Sequence, residues 1–74
     1  MSLKDRIDEL CALKAGWLNG HGEAVELEPE YVMRIFKAMV DMTQSQIGVY
    51  PTPDGCLQLE WYENGVARTL VIES

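Results

Sequence analysis

Val32, Ile35, Phe36, Met39 and Val40 recur at i, i+3, i+4, i+7 and i+8, the spacing that lines one face of an α-helix. Pro29 fits the first turn of that helix, where a missing N–H costs nothing, and Glu30 adds favourable charge at the same end. This helix is the expected centre of the core. An earlier helical pattern places Leu3, Ile7, Leu10, Cys11 and Lys14 on one side, with Leu13 widening the apolar face. Ser2 is positioned to cap this first helix, Asp5 suits its dipole, and Gly16 offers a stop.

After residues 43–45 the period changes from helical to alternating. Ile47, Val49 and Pro51 read as a short strand, with the proline suited to an edge because it cannot donate a ladder hydrogen bond. Thr52-Pro53-Asp54-Gly55 is a turn sequence, with proline presetting the second position and glycine suiting the fourth. Leu57, Leu59 and Trp61 alternate with Gln58, Glu60 and Tyr62, and Asn64-Gly65 is the favoured two-residue hairpin loop before a strand from Val66 to Glu73. With that loop, Glu63 faces Val66, Trp61 faces Arg68, Leu59 faces Leu70 and Leu57 faces Ile72. Leu57, Leu59, Leu70 and Ile72 then form an apolar patch with Trp61 beside Arg68 at its rim, while Gln58, Glu60, Tyr62, Thr69 and Val71 face solvent.

Between the two helical patterns runs a turn-rich stretch, Gly16-Trp17-Leu18-Asn19-Gly20-His21-Gly22. Trp17 is too large to leave in water cheaply and is expected to fold this loop back onto the core. Val25 and Leu27 alternate with Glu26 and Glu28, the pattern of a short extended piece with its carboxylates outward. The elements sum to one α+β domain spanning residues 1–74, in the order α-α-β-β-β. Two helices pack on one face of a three-stranded antiparallel meander, with Ile35, Phe36, Leu57, Leu59 and Leu70 central.

Size and charge narrow the function. A 74-residue domain gains only about 3–5 kcal/mol from its core, so self-association or a partner is a natural source of further stability. Six bases against twelve acids give a net charge of −6, a field that repels nucleic acid and anionic membrane and attracts cationic protein surfaces. Residues 1–18 are balanced, so the acid excess lies in the remainder. No apolar run approaches the ~20 residues of a spanning helix, and the start lacks a secretory pattern, which together point to a cytoplasmic address. Cys11 and Cys56 lie in patterned elements and are expected to be reduced there.

No residue set reaches the standard of a catalytic, metal or cofactor signature. His21 alone among glycines supplies too few oriented ligands for zinc. Catalysis by Cys11 or Cys56 would need His21 as base, together with a concave site and a perturbed thiol, and nothing in the spacing joins them. The glycine-rich loop lacks the lysine of a phosphate cradle and is followed by glutamates that would repel an anion. A non-enzymatic role is therefore expected.

The strongest functional lead is Glu23, Glu26, Glu28 and Glu30, which lie between Asn19 and Met33 with no lysine or arginine among them. Surface glutamates ordinarily serve solubility. Extended, however, Glu26, Glu28 and Glu30 would stand about 7 Å apart, at about 3.3 Å per residue, and a row of carboxylates at such intervals can imitate a phosphate backbone, with Pro29 placed to turn the last of them out of line. Glu60, Glu63 and Asp54 would broaden the field, and Trp17 and Tyr62 could act as aromatic anchors. The expected role is a small inhibitor or accessory protein that binds a basic protein surface, of an anti-CRISPR-like, nucleic-acid-mimicking or antitoxin-like kind. The alternative is a constitutive homodimer joined through the edge strand at Ile47 to Tyr50 or through the exposed sheet face.

Gly16-Trp17, Asn19-Gly20-His21-Gly22, Pro51-Thr52-Pro53-Asp54-Gly55 and Leu57-Gln58-Leu59-Glu60-Trp61 together resemble a scattered group of small bacterial proteins. Those proteins typically read G-W-D-G-Y-G, a helix, P-T-P-D-G, Q-x-E-W and a final acidic-apolar strand. Here Leu18 looks inserted and His21 stands where tyrosine is usual. The resemblance implies the helix, loop, helix and three-strand order and a prokaryotic or phage origin. It brings no activity and no functional residue with it.

Overall fold

Val32 and Phe36 of the second helical pattern meet the alternating residues Leu57, Leu59 and Trp61 in one buried cluster. The computed structural model describes residues 2–43 and 46–73. Helix α1 spans Leu3–Cys11 and helix α2 spans Pro29–Thr43; strands β1, β2 and β3 span Gly48–Pro51, Leu57–Glu63 and Val66–Ile72. The strands form one antiparallel sheet in the order β1-β2-β3. This is the α+β arrangement expected from the sequence.

Ser2 caps α1 by accepting a hydrogen bond from the Asp5 amide at 3.1 Å. The helix ends at Cys11 rather than near Gly16, so Lys14 lies outside it. The competing interaction is visible: the Leu13 carbonyl accepts from the Val25 amide at 3.0 Å, which draws the chain after α1 toward the extended segment. In that segment Val25 and Leu27 are buried and Glu26 and Glu28 exposed, the alternation of extended backbone, although it joins no sheet.

The hairpin register is Glu63↔Val66, Trp61↔Arg68, Leu59↔Leu70 and Leu57↔Ile72. Asn64 and Gly65 both have positive φ, 53° and 78°, as a type I′ turn demands. The other turn closes with the Gly55 amide donating to the Thr52 carbonyl at 3.1 Å and the Cys56 amide to the Thr52 hydroxyl at 3.1 Å.

The buried cluster joins Ile7 and Leu10 of α1, Val32 and Phe36 of α2, Val49 of β1, Leu57, Leu59 and Trp61 of β2, and Val25, Leu27 and Ile72. Two expectations need correction. Leu70 is not central, being 37% exposed, and Trp61 is not at a rim, being only 8% exposed. Both follow from where the buried cluster lies: it takes Val49 of β1 and Leu57, Leu59 and the large indole of Trp61 from β2, but only Ile72 from β3, whose other residues are exposed. Ile35 is half-buried against the cluster rather than inside it.

Candidate functional site

The chain between the helices is held at residues 23–25 by bonds to the loop before it, to Leu13 and to the turn between β1 and β2, and these contacts place Glu23 and Glu26. Trp17 does not reach the core, contrary to the sequence reading; its indole N–H needs an acceptor and takes the Glu23 carbonyl at 2.7 Å, within its own loop. The ring lies so close to Gly22 that a β-carbon there would come within 2.9 Å of the indole nitrogen. The loop also closes on its own backbone, with Gly16 donating to Gly22 at 2.9 Å and Leu18 and His21 exchanging bonds at 2.8 Å.

Downstream, the segment docks on the turn between β1 and β2. The Glu23 amide donates to the Pro53 carbonyl at 2.8 Å, and the Ala24 carbonyl rests against Gly55. Glu23, Glu26 and Asp54 therefore line one depression of about 220 Å³, together with Ala24 and Gly55. Glu26 also borders an adjoining shallow depression of about 390 Å³, with Leu27, Glu28, Tyr31 and Glu73. The two linings meet at Glu26, and the surface between and around them, with Asp54 and Glu23 on one side and Glu28 and Glu73 on the other, forms one acidic ridge. Neither depression has a lysine, arginine or histidine in its lining.

Glu30 belongs elsewhere. Pro29 starts α2 and turns the chain, so Glu30 borders the groove between α1 and α2 with Lys4, Asp8, Arg34 and Lys37. Glu28 borders this groove too and connects the two regions. Two ion pairs occur among the described residues, Lys4–Asp8 at 3.7 Å and Arg68–Glu63 at 3.8 Å, and neither involves the four loop glutamates. The sequence-derived set is thus only partly assembled. Glu60 and Tyr62 lie on the outer face of the sheet, and Glu63 projects from the other face, where it forms an exposed ion pair with Arg68.

Sequence reasoning missed Tyr31 and Glu73. Tyr31 is an exposed aromatic in the first turn of α2, and Glu73 follows Ile72, whose pairing with Leu57 fixes where Glu73 lies. Only the tertiary fold brings them beside Glu26 and Glu28.

The acidic field reaches into the structure as well. Burial pushes the half-buried Cys11 thiol above its ordinary pKa, and the carboxylates of Asp8 and Glu28 push it further. Cys11 and Cys56 are both free thiols. Among the described residues no group of three His, Cys, Asp or Glu side chains stands where it could hold a metal ion. No described helix is long and apolar enough to cross a membrane. No protein-family model matches the chain, and neither the curated proteins nor the solved structures yield a match.

Proposed function

We propose that this protein is a non-enzymatic inhibitor or accessory protein that binds the basic surface of another protein, its acidic ridge standing in for a nucleic-acid backbone. The observation that carries this reading is the pair of adjoining depressions lined by Asp54, Glu23, Glu26, Glu28 and Glu73 with no cation in either lining. Uncompensated charge of one sign on a fixed backbone meets a complementary surface without first breaking internal ion pairs. Tyr31, within the same lining, supplies an aromatic anchor.

The chemistry suits a cytoplasmic factor that occupies the lysine and arginine contacts of a nuclease or a nucleic-acid-guided complex, as a phage-borne anti-defence protein or an antitoxin-like partner does. Affinity capture from bacterial lysate at low and high ionic strength tests it. A specific partner retained at low salt and released at high salt is the expected result, because charge-led association is screened as the Debye length shortens. Absence of any salt-sensitive partner, or a partner equally well retained at high salt, would refute the reading.

A further inference from the structure

We infer that the free edge of β3 pairs antiparallel with the same edge of a second copy, centred on Thr69, to make a continuous six-stranded sheet. The argument begins with the difference between the two edges. β1 is four residues long and ends in Pro51, two of the devices by which proteins blunt an edge. β3 is seven residues long, Val-Ala-Arg-Thr-Leu-Val-Ile, with no proline and one charge, and it has a neighbour on one side only. Its side chains are exposed from Val66 to Val71, including Val66 at 53%, Val71 at 46% and Leu70 at 37%.

The hairpin fixes which backbone groups are left over. A two-residue type I′ loop closes on a hydrogen-bonded pair, here Glu63↔Val66, and bonded pairs alternate along an antiparallel ladder. Val66, Arg68, Leu70 and Ile72 accordingly bond to β2. The N–H and C=O groups of Ala67, Thr69 and Val71 point away from it.

Those three residues are self-complementary about Thr69. A two-fold axis there sets Thr69 against Thr69 of the second copy and Ala67 against Val71, so each leftover donor meets a leftover acceptor. On the sheet face shared with Leu57 and Leu59, Leu70 meets the Arg68 stem of the second copy, and Val66 meets Ile72. A register centred on Arg68 would oppose two guanidinium groups and is disfavoured. Charge also favours this strand over the rest of the molecule. A chain of net charge −6 repels its own copy, yet residues 66–72 contain no acid and one base.

The acidic ridge and the β3 edge should therefore respond oppositely to salt. Self-pairing strengthens as salt screens the mutual repulsion of two acidic copies, whereas ridge-led capture weakens. Failure of one reading leaves the other standing.

Sedimentation equilibrium of the purified full chain across the micromolar range is the test, with amide exchange as a second readout. The expected species has twice the mass of the 8.4 kDa chain. The Ala67, Thr69 and Val71 amides should exchange slower by on the order of tenfold or more in concentrated than in dilute samples, with Arg68 and Leu70 protected in both. Thr69→Lys opposes two ammonium groups across the axis and should yield monomer; mixing it with Thr69→Glu should restore a mixed dimer. A circular dichroism spectrum like that of the parent chain shows that each variant folds. Wild-type protein that remains monomeric at all these concentrations overturns the inference, even if its edge accepts a strand from another protein. So does a folded Thr69→Lys variant that dimerises like the wild type.

Discussion

The Ala24 carbonyl lies so close to Gly55 that a β-carbon at Gly55 would sit 2.6 Å from its oxygen. Gly55 also has a φ of +86°, where side chains are strained. One backbone contact thus locks the acidic segment to the turn that carries Asp54. Gly55→Ala combines both penalties and should cost about 2–4 kcal/mol, large for a domain of this size. Urea unfolding should show a lower midpoint with unchanged slope.

Trp17 holds the same end of the segment from the loop side, through its bond to the Glu23 carbonyl. Trp17→Phe keeps most of the ring and removes that bond, so the expected loss is about 0.5–1.5 kcal/mol. The change is measurable as a lower thermal midpoint by circular dichroism. An unchanged midpoint would mean that the loop needs no such clasp.

Trp61 presents the opposite situation. Its indole nitrogen is buried and finds no acceptor among the described residues. An unsatisfied buried N–H costs about 1–3 kcal/mol, and Trp61→Phe removes it while leaving a smaller side chain. Trp61→Ala should cost about 3–5 kcal/mol, as large-to-small core changes do, and Trp61→Phe less than half of that. Urea unfolding followed by Trp17 fluorescence compares the two.

Cys11 gives a pH dependence whose sign is fixed. The fold raises its pKa through burial and then through Asp8 and Glu28, so the folded state keeps the proton to higher pH than the unfolded chain. The contribution to stability is complete below the ordinary thiol pKa and is lost as pH rises through it toward the folded value. Alkylation of Cys11 in a Cys56→Ser background should follow a pH profile displaced upward from that of a short peptide of the same local sequence. Replacing Glu28 by glutamine should move the profile part of the way back.

Local signals carried most of the fold. The i, i+3, i+4 series ending at Val40, the Asn64-Gly65 loop and the Thr52–Gly55 turn depend on neighbours in sequence, and the elements lie where these put them. The misreadings at Leu70 and Trp61 share one cause. Alternation shows which face of a strand is apolar, but not how far the buried cluster extends across the sheet. The same limit applies to the candidate site. A run of glutamates without a cation and the helix start at Pro29 that diverts Glu30 were legible, whereas the cations gathered around Glu30, the Arg68 partner of Glu63 and the arrival of Glu73 beside Glu26 depend on tertiary placement.

That division makes the four glutamates unequal, which a direct measurement can expose. Lysate capture should be compared for the wild type, for Glu23→Gln/Glu26→Gln/Glu28→Gln together, and for Glu30→Gln alone, at one low ionic strength. Glutamine keeps the shape and removes the charge. The expected result is loss of the partner with the triple variant and near-complete retention with Glu30→Gln, because Glu30 lines neither acidic depression and faces only the groove that holds Lys4, Arg34 and Lys37. A partner held equally well by the triple variant and the wild type would contradict recognition through the acidic ridge.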